Sequence, residues 1–222
     1  MNSLIPKKFF IDGPAGKLET VLAEPDSIRP CGIAVIAHPH PLYAGTMDNK
    51  VVHTLFKALL ELEYVTVRFN FRGVGQSAGT GEGMGEGTGE TEDMLAVTEA
   101  VRQQFQAQSN QLPLVLAGFS FGGAIAARAA QQLGAQNKPQ KLILVAPSVD
   151  RLHAPAVVEH AASTLIVHGD QDEVVPLQSV LDWAAPQELP VVVIPGGEHF
   201  FHGRLPLLKR IVLESWGIKC SG

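Results

Sequence analysis

The sequence predicts an α/β protein with a mostly parallel central sheet and helices on both faces. Six short apolar runs, rich in Val, Ile and Leu, recur along the 222 residues. Unbroken apolar runs of that length suit strands buried on both faces, the pattern of a parallel sheet covered by helices. Segments with helical spacing separate the runs, and regular alternation of the two kinds marks an open α/β sheet.

In chain order, residues 8–12 and 18–25 read as an opening hairpin at the sheet edge. Residues 32–37 (GIAVIA) form the first buried run, followed by Val51, Val52, Leu55, Phe56, Leu59 and Leu62 on one helical face. The second run is 64–71 (YVTVRFNF). A low-complexity stretch, 79–89 (GTGEGMGEGTG), follows; with Gly73 and Gly75 it holds eight of the 22 glycines and reads as one loop. Met94, Val97, Val101 and Phe105 then keep helical spacing, with Glu90, Glu92 and Asp93 favouring the helix start. Runs 114–118 (LVLAG), 142–146 (LILVA), 164–167 (TLIV) and 191–194 (VVVI) complete the sheet, with a small-residue helix, GAIAARAAQQL, after the first of them. Leu205, Leu208, Ile211, Val212 and Ser215 give a closing helix, with Pro206 tolerated in its first turn. No internal repeat or domain boundary interrupts the pattern, so residues 1–222 are read as a single domain.

Composition narrows the function classes. Hydrophobic residues make up 45% and charged residues 18%, which excludes disorder. A net charge of −5 argues against a nucleic-acid partner, which calls for a basic excess. Cys31 and Cys220 supply neither a disulfide framework nor a C-x-x-C pair. The amino terminus has no apolar core of signal-peptide length, and residues 112–127 contain Pro113, Gly118, Gly122 and Gly123 and fall short of a membrane span. A cytoplasmic protein away from membranes is expected.

The chemistry centres on Gly118-Phe119-Ser120-Phe121-Gly122, a G-x-S-x-G pattern. Alone it is weak; its position between a buried strand and a small-residue helix is what counts. Such an elbow exposes the serine hydroxyl above the sheet, with glycines where side chains would clash. A serine at its ordinary pKa is a poor nucleophile and needs a base, itself oriented by an acid. Downstream acids near strand ends are Asp172, preferred, then Asp170 and Asp150. Among the downstream histidines, His199 follows a Gly-Gly loop directly after the last strand and is the expected base; His202 reads as a surface residue and His168 as a packed strand-end imidazole. All lie beyond the carboxyl ends of strands, where open α/β sheets assemble their sites.

A developing oxyanion needs two donors. One is the Phe121 N–H, directly after the nucleophile. The second is expected from His38-Pro39-His40-Pro41-Leu42-Tyr43. Its prolines have no N–H, which leaves His40, Leu42 and Tyr43, with His40 favoured by position.

These motifs resemble the α/β-hydrolase superfamily, above all its small bacterial serine hydrolases without a lid. The stretches that carry the resemblance are HPHPLYAGTMDNK (38–50), RFNFRGVGQSAG (68–79), GTGE (87–90), GFSFGG (118–123), HGDQDEVVP (168–176) and GGEH (196–199). They span most of the chain. The resemblance implies a Ser120–Asp172–His199 triad and supports the second aspartate of GDQD. The chain departs from the family pattern at His38-Pro39, where many relatives carry His-Gly. Only 17 residues separate the runs at 142–146 and 164–167. Members commonly insert a lid there, so the bare hydrolase core is expected, without a cap domain.

Three rival readings are weaker. Gly73-Val74-Gly75 opens no helix and no phosphate-loop lysine follows, against nucleotide binding. His38 with His40, or His199 with His202, joins no recognisable zinc motif. A non-catalytic hydrolase-fold binding module is the third, and such proteins usually lack a triad member. The sequence therefore predicts a serine hydrolase without cofactor or metal, first a carboxylesterase on small-molecule acyl substrates, with thioesterase, amidase or peptidase as alternatives. No basic cluster near the motifs points to an anionic substrate group, and the acidic glycine loop, through Glu82 and Glu86, is expected to disfavour one.

Overall fold

Among the described residues, eight strands and five helices place the chain's apolar runs in one sheet. The computed structural model describes residues 6–80, 85–105, 112–134 and 137–216. The opening hairpin is β1 (Lys7–Gly13) and β2 (Gly16–Ala23), antiparallel with Gly13 opposite Gly16. β3 (Gly32–Ala37), β4 (Tyr64–Phe69), β5 (Leu114–Phe119), β6 (Lys141–Val145), β7 (Thr164–Gly169) and β8 (Val191–Ile194) follow, in the spatial order β1-β2-β4-β3-β5-β6-β7-β8. β2 meets β4 antiparallel, and β4 through β8 run parallel. Every residue of β3, β4, β5 and β7 is buried. That burial on both faces is why these strands read as continuous apolar runs.

The helices are α1 (Lys50–Glu61), α2 (Thr88–Phe105), α3 (Phe121–Leu133), α4 (Leu177–Ala184) and α5 (Leu205–Glu214). α1 and α5 cover one face, where Val51, Leu55, Leu59, Leu208 and Val212 pack on Ile36, Ala117 and Val145. α2, α3 and α4 cover the other, where Met94, Val97, Ile125 and Val180 meet Val35, Leu116 and Leu144. Each such buried aliphatic side chain contributes about 1.5–3 kcal/mol. Asn49 caps α1, its Oδ1 accepting the Val51 N–H at 2.8 Å.

Two boundaries and one further helix depart most from expectation. β4 stops at Phe69 rather than residue 71, because Asn70 turns out of the strand: its side chain accepts the Met47 N–H at 2.9 Å and donates to Glu19 Oε2 at 2.7 Å. α2 begins at Thr88, inside the glycine stretch. There the Glu90 carboxylate accepts the N–H groups of Gly85 at 2.6 Å and Gly87 at 3.1 Å, folding the loop's end onto the helix; residues 81–84 of that stretch lie outside the described residues. α4 has no counterpart in the sequence reading. With eight residues, of which only Val180 and Ala184 are buried, it offers too few turns for a periodic signal.

From β3 the chain crosses to β4 on one side and, through α2, returns to place β5 on the other. This reversal opens a crevice at the carboxyl ends of the central strands.

Candidate active site

One residue, Ser120, turns the chain from β5 into α3, with φ 56° and ψ −118°. Its N–H donates to Val145 O at 2.9 Å, and its carbonyl accepts from Gly123 N and Ser148 N, each at 3.0 Å. The flanking glycines are required by contact: a Cβ at Gly118 would stand 2.0 Å from Gly122 O, and one at Gly122 2.4 Å from Ala37 O.

Two later loops converge on the serine. Ser120 Oγ lies 3.1 Å from His199 Nε2, and His199 Nδ1 lies 2.7 Å from Asp172 Oδ2. With the carboxylate accepting, the imidazole proton sits on Nδ1 and leaves Nε2 to accept from the serine hydroxyl. Asp172 Oδ1 accepts the N–H groups of Val174 at 2.9 Å and Val175 at 2.8 Å. Burial alone would raise its pKa, but the His199 contact and those backbone N–H groups hold the carboxyl below its ordinary value. Beneath it, buried His168 donates from Nε2 to Val175 O at 2.9 Å and lies 3.5 Å from Asp172 Oδ2. A Cβ on Gly169 would meet Gly197 O at 2.1 Å, so a glycine there lets the β7 and β8 loops approach closely.

The other acids and histidines stand apart. Asp170 accepts the Gly196 N–H at 2.6 Å and ties the same two loops together. His202 pairs with Glu198 on the surface, and Asp150 is exposed. His38, read as a loop residue, is fully buried: its Nδ1–H donates to Pro39 O at 2.6 Å and its Nε2 accepts the Phe71 N–H at 3.1 Å. With both nitrogens engaged by backbone, it forms no pair with His40.

Of the three N–H groups offered by the loop after β3, two are occupied. Leu42 N–H donates to His40 Nδ1 at 3.2 Å and Tyr43 N–H to His40 O at 3.1 Å. The N–H groups of His40 and Phe121 meet no acceptor among the described residues. The His40 ring stands edge-on to Phe121, centroids 4.8 Å apart.

A family model described as serine aminopeptidase, S33, matches residues 44–163. A solved α/β serine hydrolase homologue from Coxiella burnetii is 44% identical, with a TM-score of 0.83 over 94% of this chain and 96% of its own. The chain belongs to the α/β serine hydrolases. A second structure, an α/β serine hydrolase without lid from Xanthomonas campestris, is 34% identical, with a TM-score of 0.84 over 100% of both chains. An uncharacterized protein of Rickettsia prowazekii is 32% identical over 209 residues, covering 87% of this chain and 82% of that protein.

In this hydrolase, residues 146–163 between β6 and β7 hold only irregular chain and a 3₁₀ turn (Val158–Ser163), with no cap domain. The site therefore opens directly into a cavity of about 550 Å³. Tyr43, Phe121, Leu152, Val174 and Phe200 give it apolar walls; Arg151 and Glu173 are its charged side chains beside the histidines. The glycine loop reaches the cavity through Gly85, against the His40 ring. A single cation, not a basic cluster, lines the cavity, and Glu86 of the acidic loop does not: that residue is exposed, and its carbonyl accepts from Arg128 Nη1 at 3.1 Å. Glu82 lies outside the described residues. Arg151 was missed because nothing in the β6 exit sequence distinguishes it from any surface arginine. No helix among the described residues is long and apolar enough to cross a membrane.

Proposed function

We propose that this hydrolase is a carboxylesterase that transfers small acyl groups to water through an acyl-enzyme on Ser120. The observation that carries the reading is the continuous relay from Ser120 Oγ through His199 to Asp172, at 3.1 and 2.7 Å.

His199 Nε2 takes the hydroxyl proton as Ser120 Oγ attacks the ester carbonyl carbon. The carbonyl oxygen becomes an oxyanion, received by the unpartnered N–H groups of Phe121 and His40. As the tetrahedral adduct collapses, the carbon–oxygen bond to the alcohol breaks and His199 protonates that oxygen. Water then repeats the sequence on the acyl-serine, with His199 again the base, and releases the carboxylic acid. Asp172 keeps the imidazole in its Nδ1–H tautomer and stabilises the cation formed in each half-reaction. Every step is proton or acyl transfer, so neither cofactor nor metal is called for.

Fluorophosphonate labelling followed by peptide mapping tests the reading. Modification at Ser120, lost in Ser120→Ala together with p-nitrophenyl acetate turnover, is the expected result. An unlabelled, correctly folded protein would overturn it in favour of a non-catalytic binding module. A p-nitroanilide run beside the ester separates esterase from amidase or peptidase activity, since both use the same relay.

A further inference from the structure

Among the described residues, Arg151 is the one cation lining the cavity apart from the histidines, and it has no hydrogen bond or ion pair with any of them. The contrast with other arginines near this edge is chemical. Arg72 is held by Asp93 through contacts of 2.7 to 3.1 Å, and Arg128 donates to the carbonyls of Glu86 and Leu152. Arg151, exposed where it lines the same cavity as Ser120 and Phe121, keeps its planar fork of donors free of the other described residues.

Its charge falls on a particular side of that space. Burial lowers the His40 pKa, Glu90 raises it, and Arg151 lowers it further. The guanidinium therefore acts on the loop after β3, at His40. Glu173, on the β7 loop, also lines the cavity, but it is not among the charges acting on His40. The cavity that Arg151 shares with Ser120 also has apolar lining at Phe121 and Leu152.

We propose that Arg151 anchors a carboxylate on the substrate, so that the preferred substrates are half-esters of short dicarboxylic acids. The scissile carbonyl sits at Ser120, a short methylene spacer runs along the apolar wall, and the free carboxylate meets the guanidinium. A carboxylate is the better match than a phosphoryl group because one guanidinium, with no lysine or second arginine lining the cavity, balances one negative charge rather than the nearly two of a phosphoryl group. The proposal rests on the acyl-transfer reading above, and its test separates the two.

The probes are mono-(p-nitrophenyl) glutarate and p-nitrophenyl butyrate, which share a leaving group and differ in charge. The half-ester should be preferred in kcat/KM by about tenfold, the low end expected for charge-assisted hydrogen bonds at an accessible site. Arg151→Ala should lower the half-ester to butyrate ratio by about the same factor, chiefly through KM. Arg151→Lys should recover part of it, and added salt should erode the wild-type preference. An unchanged ratio in Arg151→Ala would overturn the proposal, as would a wild type indifferent to the charge. Calorimetric binding of the half-ester to Ser120→Ala, with and without Arg151→Ala, gives a readout independent of turnover. Binding about tenfold weaker in the double variant supports the anchor, and equal binding overturns it. If the wild type cleaves neither ester while binding still depends on Arg151, it is the acyl-transfer reading that fails.

Discussion

Acid should destabilise this protein well before its carboxylates protonate, because of His38. That imidazole is fully buried at the end of β3, and burial, opposed by its hydrogen bond to Pro39 O and aided by the His40 charge, lowers its pKa to about 4. In the unfolded chain the group returns to its ordinary value near 6.5. Between those values the unfolded chain binds a proton that the folded chain refuses, so stability is fully present above pH 6.5 and falls with pH down to about 4. At 1.36 kcal/mol per pH unit that interval amounts to about 3 kcal/mol. The local reason is that protonation puts the ring's second N–H on Nε2, facing the Phe71 N–H that this nitrogen now accepts at 3.1 Å. Urea unfolding followed by Trp183 and Trp216 fluorescence, at constant ionic strength from pH 7 to 4.5, measures the loss. His38→Gln cannot titrate and should show a shallower fall, whatever its stability at pH 7. Buried His168 is depressed in the same direction and remains in both proteins, so the difference in slope belongs to His38. Asp172, Glu19 and Asp48 have lowered pKa values and lose their contribution only at lower pH. Parallel slopes for wild type and His38→Gln would refute the reasoning.

Gly122→Ala would drive a methyl to within 2.4 Å of Ala37 O and 2.6 Å of His38 O; it should destabilise the fold by about 1–3 kcal/mol. Its thermal melt should shift down and fluorophosphonate labelling of Ser120 should slow together. Asp172→Asn removes the carboxylate that fixes the His199 tautomer. It should lower kcat for p-nitrophenyl acetate by up to about four orders of magnitude, with circular dichroism unchanged, and a loss under tenfold would argue that another group orients the imidazole.

How far the site was legible in the sequence depended on the reach of each signal. Ser120 announces itself within five residues, because the elbow's steric demands act between near neighbours such as Gly118 and Gly122. His199 and Asp172 carry no local mark. They became legible only as residues just past strands of a parallel sheet, since that topology brings carboxyl ends together across 79 positions. Arg151 and Leu152 could not be read this way, because a cavity wall is shaped by which loops meet, and irregular chain has no period. Phe71 misled for a different reason. It is buried under His38 and Phe121, with ring centroids 4.5 and 5.8 Å away, so an apolar loop residue imitated one more strand position. His38 does lie in the loop directly after β3, but its full burial carries no sequence mark, because it depends on Phe71 of another loop packing beside it.

Positive φ at residues other than glycine is concentrated at the reactive edge. Among the described residues, Ala44, Ser120, Ala146, His153 and Phe201 lie in loops beyond the carboxyl ends of β3, β5, β6 and β8, and only Glu63 and Glu188 lie at the opposite end, where chain enters β4 and β8. Such conformations cost on the order of 1–3 kcal/mol each and persist only where the surroundings over-determine them. Here they do: Ala146 N–H donates to Val167 O at 2.8 Å, Phe201 N–H to Glu198 O at 3.0 Å, and the Phe201 side chain is fully buried. Strain held this way leaves the loops little freedom to relax, so Ser120, His199 and the Phe121 N–H are positioned before any substrate arrives. A hydrolase with no lid to close over its substrate must obtain its geometry from such a rigid edge. The apolar face of the sheet supplies the stability that offsets it, which is why the elbow's glycines and the buried strands beneath it belong to one arrangement.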